Sequence, residues 1–240
     1  MRRSSGFGTN LTQLGKRLLI LYGVIYIMEL LLEHWFKVPV VAFLQLYPFG
    51  SENFHFWQIV THTFIHNPRA PGGFLINCLM LYFFAAPVEF ALGSGRFLVL
   101  FYLAALGGAI GGLAFSGVAG FNAPFMGMLP GLLALIVVFG LLNPEATILL
   151  MFILPVRAKY ISYGTAGITL LTFLAKANPY GAYHLGGLLF GFFYFKSPGT
   201  LMDPGWVHLK YLQWRLKKRK SRFKVIDGSG GKDDDKPTYH

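Results

Sequence analysis

The chain has 240 residues, of which 54% are hydrophobic and only 13% charged, against roughly 25% charged residues in an ordinary soluble domain. Apolar runs of about 20 residues recur without period-two alternation, which excludes a soluble domain and favours membrane-crossing helices over a barrel. The net charge of +11 does not indicate nucleic acid, because eight of the 21 Lys and Arg fall in 210–224, just past the last apolar run, where basic residues flank a membrane.

Residues 1–17 carry Arg2, Arg3, Lys16 and Arg17 and no acid. The apolar run 18–32 follows without a small-residue cleavage site, so it is read as an uncleaved first span with its N-terminus in the cytoplasm. Glu29 lies within it and should face the bundle or a polar partner. Residues 37–72 form a long connector rich in aromatics and poor in charge. It is predicted to lie in the membrane interface, where Trp and Tyr are favoured. His62 and His66 stand four apart, a metal-pair spacing, but no further ligand accompanies them. The second span is predicted at 74–92 and the third at 97–115, joined through Gly93-Ser94-Gly95-Arg96. The third contains Gly107, Gly108, Gly111 and Gly112, whose four-residue spacing lets backbones approach closely. The fourth is predicted at 122–142 and is ended by Asn143-Pro144-Glu145. A short apolar stretch stops at Pro155, and the last two spans are predicted at 160–175 and 182–195. The lone Cys78 permits no internal disulfide and reads as a small packing residue.

Six spans return the C-terminus to the side of the N-terminus. Arg96, Arg157, Lys159 and the tail then share the cytoplasmic side with the basic N-terminus. Trp206, Tyr211 and Trp214 with the basic run suggest a short helix against anionic lipid. The composition beyond Asp227 predicts disorder.

With this topology Asn77, Asn122 and His184 begin the second, fourth and sixth spans at one membrane depth. Ala123, Gly127 and Gly131 recur at four-residue intervals. His184, Gly187 and Gly191 make a second smooth face. Contact between the two faces would bring Asn122 and His184 within reach of each other.

These motifs resemble the rhomboid intramembrane proteases. Trp57-Gln58, Val60-Thr61 and Phe64-Ile65-His66 are similar to the stretch before that family's second helix. Glu89 matches an acid that is structural there. Gly120-Phe121-Asn122 stands where the family carries Gly-x-Ser, and Tyr183-His184-Leu185-Gly186-Gly187 resembles its Ala-His-x-x-Gly signature. The resemblance implies a Ser–His dyad in which the histidine takes the serine proton, with a helix-two His and Asn as oxyanion donors. Here His184 keeps the base position and Asn122 replaces the nucleophile. Asn77 keeps one oxyanion position and Gly73 has lost the other. A carboxamide is no nucleophile at neutral pH.

The expectation is therefore an all-α, polytopic, six-transmembrane-helix rhomboid-like bundle with an interfacial loop between its first two helices. Residues 1–17 form a basic N-terminus, 18–202 the membrane domain and 203–240 an interfacial helix and tail. The function expected is that of a pseudoprotease binding transmembrane client proteins among membrane lipids, with no cofactor, metal or nucleic acid, in a membrane such as the bacterial inner one. The alternatives are an active serine endopeptidase with a displaced nucleophile, and a transporter or channel. Ser116, placed by the sequence in the loop before the fourth span, imitates part of the motif, whereas Ser162 falls at the wrong depth. No repeated halves or ladder of intramembrane charges support a transporter.

Overall fold

The computed structural model describes residues 11–150, 154–176, 179–197 and 211–216. Most of the basic N-terminus, Trp206 and the tail beyond Asp227 lie outside these. The helices are α1 (Gln13–His34), α2 (Val40–Leu44), α3 (Gln58–Thr61), α4 (Pro71–Leu92), α5 (Ser94–Ala119), α6 (Leu129–Leu142), α7 (Ala158–Lys176) and α8 (Pro179–Lys196). Residues 211–216 are also helical and fully on the surface. Among the described residues, α4 and α5 are long and apolar enough to cross a bilayer, while α6 is apolar but shorter.

Local chemistry sets most boundaries. Thr12 caps α1, its hydroxyl accepting from the Gly15 N–H at 3.0 Å. Pro71 and Pro130 sit in the first turns of α4 and α6, where a missing N–H costs nothing. Gly120 ends α5 in the left-handed region, with φ 71°.

Two expectations are corrected. The chain is not purely helical: β1 (Thr147–Leu150) and β2 (Leu154–Arg157) pair antiparallel, with Thr147 opposite Arg157 and Leu150 opposite Leu154. The sequence there is short, β-branched and apolar, and Pro155 is tolerated because each strand of a two-stranded ladder is an edge. Glu145 secures its base, accepting from Lys159 at 2.6 Å and Arg157 at 2.9 Å. The Lys159 hydrogen bond, aided by the charge of Arg157, holds the Glu145 carboxyl below its usual range.

The second correction is that α6 starts at Leu129, not Asn122. Residues before proline avoid helical angles, which affects Ala123 beside Pro124. Phe125 is drawn into an antiparallel bridge with Leu46, its N–H donating to Leu46 O at 2.7 Å and its carbonyl accepting from Leu46 N at 2.9 Å. Gly127 has φ 95°, which breaks any helix there.

Helix α5 is central, packing against α4, α6 and α8. Its glycines meet α8 as closely as expected. A Cβ on Gly111 would lie 2.5 Å from the Ala182 carbonyl oxygen, and one on Gly186 would lie 2.4 Å from the Gly107 carbonyl oxygen. The contacts fix chain directions. Gly107 opposes Phe190 while Gly111 opposes Ala182, so α5 and α8 are antiparallel. Gly187 opposes Pro130 and Gly191 opposes Ala134, so α6 and α8 are parallel. The tight turn at Gly93 makes α4 antiparallel to α5. Helices α4, α6 and α8 therefore begin at one end of the bundle. The α6–α8 contact differs from the expected pairing of two glycine faces: Gly131 packs on Phe101 of α5, and Gly127 lies outside the helix.

One buried cluster fills the middle of the bundle, with Tyr22, Phe97, Phe101, Leu132, Leu135 and Phe139 among its members. A second comprises Leu46, Ala109, Leu113, Phe125 and Tyr183. It joins the connector, α5, the 121–128 segment and α8.

Candidate functional site

The connector between α1 and α4 is built around Gln58. Its carboxamide is 1% exposed, so each of its polar atoms needs a partner. Nε2 donates to the carbonyls of Phe43 at 3.2 Å and Asn53 at 2.9 Å. Oε1 accepts from the N–H groups of Tyr47 at 3.3 Å and His55 at 3.1 Å. Thr61 adds a hydrogen bond to Leu44 O at 2.8 Å. The Trp57-Gln58 motif thus folds the connector onto itself, with Trp57 Nε1 also donating to Phe43 O at 3.3 Å.

Glu29 anchors that connector to α1. It is buried, and its Oε2 accepts from the His66 N–H at 3.1 Å, as a carboxylate within an apolar helix requires. The His66 ring stands edge-on to Tyr22, Tyr26 and Phe74. His62 and His66 are both buried, and their Nδ1–H groups donate to Gln58 O at 3.0 Å and Phe64 O at 3.2 Å. Burial pushes both imidazoles down to about 4, so both are neutral near pH 7. Among the described residues they belong to no metal-binding group. Glu89 accepts from Thr12 Oγ1 and, at 2.6 Å, from Ser94 Oγ. It thereby ties the start of α1 to the α4–α5 turn.

The four residues singled out in the sequence lie toward the end where α4, α6 and α8 begin. Gly73 is exposed in the first turn of α4, with open space where a Cβ would stand. Asn77 is half-buried one turn further on. Asn122 is exposed in coil, and His184 is half-buried on α8. Among the described residues no hydrogen bond joins Asn122 to His184. The α8 side chains that reach the 121–128 segment are Tyr180, whose hydroxyl donates to Pro124 O at 3.0 Å, and Tyr183. Tyr183 is 1% exposed, donates to Gly127 O at 2.9 Å and stacks on Phe125 with ring centroids 5.2 Å apart. His184 follows Tyr183, half-buried, on the same side of α8 as Tyr180 one turn earlier.

Sequence reasoning passed over Tyr183, although a signal existed. Tyr183, Gly187 and Gly191 recur every four residues: the two glycines pack on Pro130 and Ala134 of α6, and Tyr183 on the 121–128 segment before it. Ser116 is corrected too. It lies inside α5, 2% exposed, with no partner for its hydroxyl. Ser162 is buried and donates to Val137 O at 2.9 Å. A cavity of about 290 Å³ opens between the connector and α5, lined by residues including Val60, His62, Thr63, Tyr102 and Leu106. None of Asn77, Asn122 or His184 lines it.

The profile of the Rhomboid domain matches residues 53–196. Among curated proteins none matches the sequence. The match covers more than half of the chain and takes in the second half of the connector, the central helices and the 120–127 and 183–191 motifs, and two of the helices it spans, α4 and α5, are long and apolar enough to cross a bilayer: the chain belongs to the rhomboid family and is an integral membrane protein.

Proposed function

We propose that this protein is a proteolytically silent rhomboid that binds segments of transmembrane client proteins. The observation that carries the reading is Asn122, a carboxamide where the family places its nucleophilic serine. Loss of such a nucleophile costs on the order of 10⁶ in rate, and loss of one oxyanion donor, as at Gly73, about 10²–10³. The two serines weighed from the sequence offer no ready substitute, since Ser116 is buried within α5 and Ser162 is engaged with Val137.

The same reading takes α1, α4, α5, α6, α7 and α8 as six spans with both termini cytoplasmic. The shared direction of α4, α6 and α8 supports it. Their C-terminal ends bring Arg96, Arg157 and Lys159 to one end of the bundle, as expected for the cytoplasmic side. Three assays test the proposal. Reconstituted protein should not cleave a transmembrane substrate in liposomes, and turnover lost in His184→Ala would overturn the reading. A fluorophosphonate should not label the chain; labelling abolished in Ser116→Ala would establish a displaced nucleophile instead. Membrane proteins that co-purify with the parent chain should be lost on changes at Asn122 and His184.

A further inference from the structure

The 121–128 segment crosses the end of the bundle and is fastened at every turn. Phe125 exchanges both backbone hydrogen bonds with Leu46. Gly127 donates its N–H to His62 O at 2.8 Å and accepts from Tyr183 Oη at 2.9 Å. Pro124 O accepts from Tyr180 Oη at 3.0 Å. Between these ties the Phe125 ring lies against Gly112 of α5, where a Cβ would come within 2.9 Å of it. Tyr183 stacks on its other side and meets His62 edge-on, 5.8 Å between centroids. Both rings are essentially without exposure.

We propose that Phe125 and Tyr183 form an intramolecular plug, and that the segment carrying Phe125 is a strap closing the gap that the connector leaves above the α5–α8 seam, beside Asn122 and His184. An incoming polypeptide segment enters that gap only when the strap lifts. The occlusion rests on the geometry alone; its meaning for clients rests on the non-cleaving, client-binding reading above. The plug is a further barrier to proteolysis, separate from the loss of the nucleophile and of the oxyanion donor. The gap is filled by the chain's own side chains whichever residue stands at position 122.

Cysteine accessibility in the full chain tests this. In a Cys78→Ser background, Leu113→Cys places a thiol inside the Leu46–Phe125–Tyr183 cluster and Leu135→Cys places a control in the other core. With Tyr183 intact, N-ethylmaleimide should react slowly at both. Adding Tyr183→Ala removes a stacked ring and a buried hydrogen bond, and should speed reaction at position 113 about tenfold or more while position 135 stays protected. Tyr183→Phe, which keeps the ring, should give a smaller increase. Equal rates at position 113 with and without the Tyr183 ring, or fast reaction in the parent, would overturn the plug. Should Tyr183→Ala also expose position 135, Phe125→Ala opens the same gap from the strap side and is read in the same way. Fluorophosphonate labelling of the parent would sink the non-cleaving reading and leave these rates untouched, so the two ideas fail separately.

Discussion

Glu29 shows how one ionisable side chain inside an apolar helix can define a neighbouring loop. Its Oε2 is the acceptor for a buried backbone N–H of His66. Glu29→Leu strands that N–H and should lower stability by about 1–3 kcal/mol, whereas Glu29→Gln keeps an acceptor and should cost less. Thermal midpoints of the detergent-solubilised variants check the order. His62 and His66 add a pH dependence. Burial lowers both from 6.5 to about 4, so between these values the unfolded chain binds protons that the folded chain refuses. Stability is therefore full above pH 6.5 and falls as pH drops toward 4, by at most about 1.4 kcal/mol per pH unit for each histidine. A midpoint flat from pH 7 to pH 5, or one as steep after His66→Gln, would contradict this.

At the scale of elements, the seam between α5 and α8 depends on absent side chains. Gly111→Ala would drive a methyl into the Ala182 carbonyl and should cost about 1–3 kcal/mol as overpacking. Gly23→Ala on α1 meets nothing within 4 Å and should be neutral or stabilising by up to about 1 kcal/mol through helix propensity. Denaturation midpoints of the two variants measured together separate packing from propensity. That the α5 glycines serve close packing was legible in the sequence, because glycines four apart let backbones approach in a membrane helix, but their partner was not: the sequence pairs the α8 glycines with the fourth span. The start of α6 was not legible either. A proline near the front of an apolar run fits a first helical turn as well as a loop, so Pro124 decides nothing alone. The deciding contact, Phe125 with Leu46, joins segments far apart in the sequence. Tyr183 was passed over for a related reason: a shift of one residue rotates a helix face by about 100°, and the stripes headed by Tyr183 and by His184 end on the same two glycines. The β1–β2 hairpin was missed because a four-residue apolar run has no period to read.

For the whole molecule, family and overall character were readable from order and spacing. Trp57-Gln58, Asn77, Glu89, the 120–127 segment and 183–191 carry the resemblance, and all fall within residues 53–196 of the family match. Proteolytic competence is a separate property, set by a few atoms. Asn122→Ser with Gly73→His restores the family's residues, and the open space at Gly73 admits the larger side chain. If the strap is closed as proposed, this pair alone should remain uncleaving towards a liposome-embedded substrate, and adding Tyr183→Ala should be required for any turnover. Cleavage by the doubly changed chain would show that replacing two residues is sufficient.

The glycine seam also determines which damage can be undone. The obstacle to a larger residue at Gly107 is the Phe190 side chain, 2.4 Å from the added carbon, whereas at Gly186 it is the Gly107 carbonyl oxygen, also at 2.4 Å. One of the two atoms at that distance is the Phe190 Cβ, which alanine would keep, so Phe190→Gly, not Phe190→Ala, should rescue Gly107→Ala in a double-mutant cycle. No side-chain trim removes a peptide oxygen, so Gly186→Ala should yield no second-site suppressor on the facing helix.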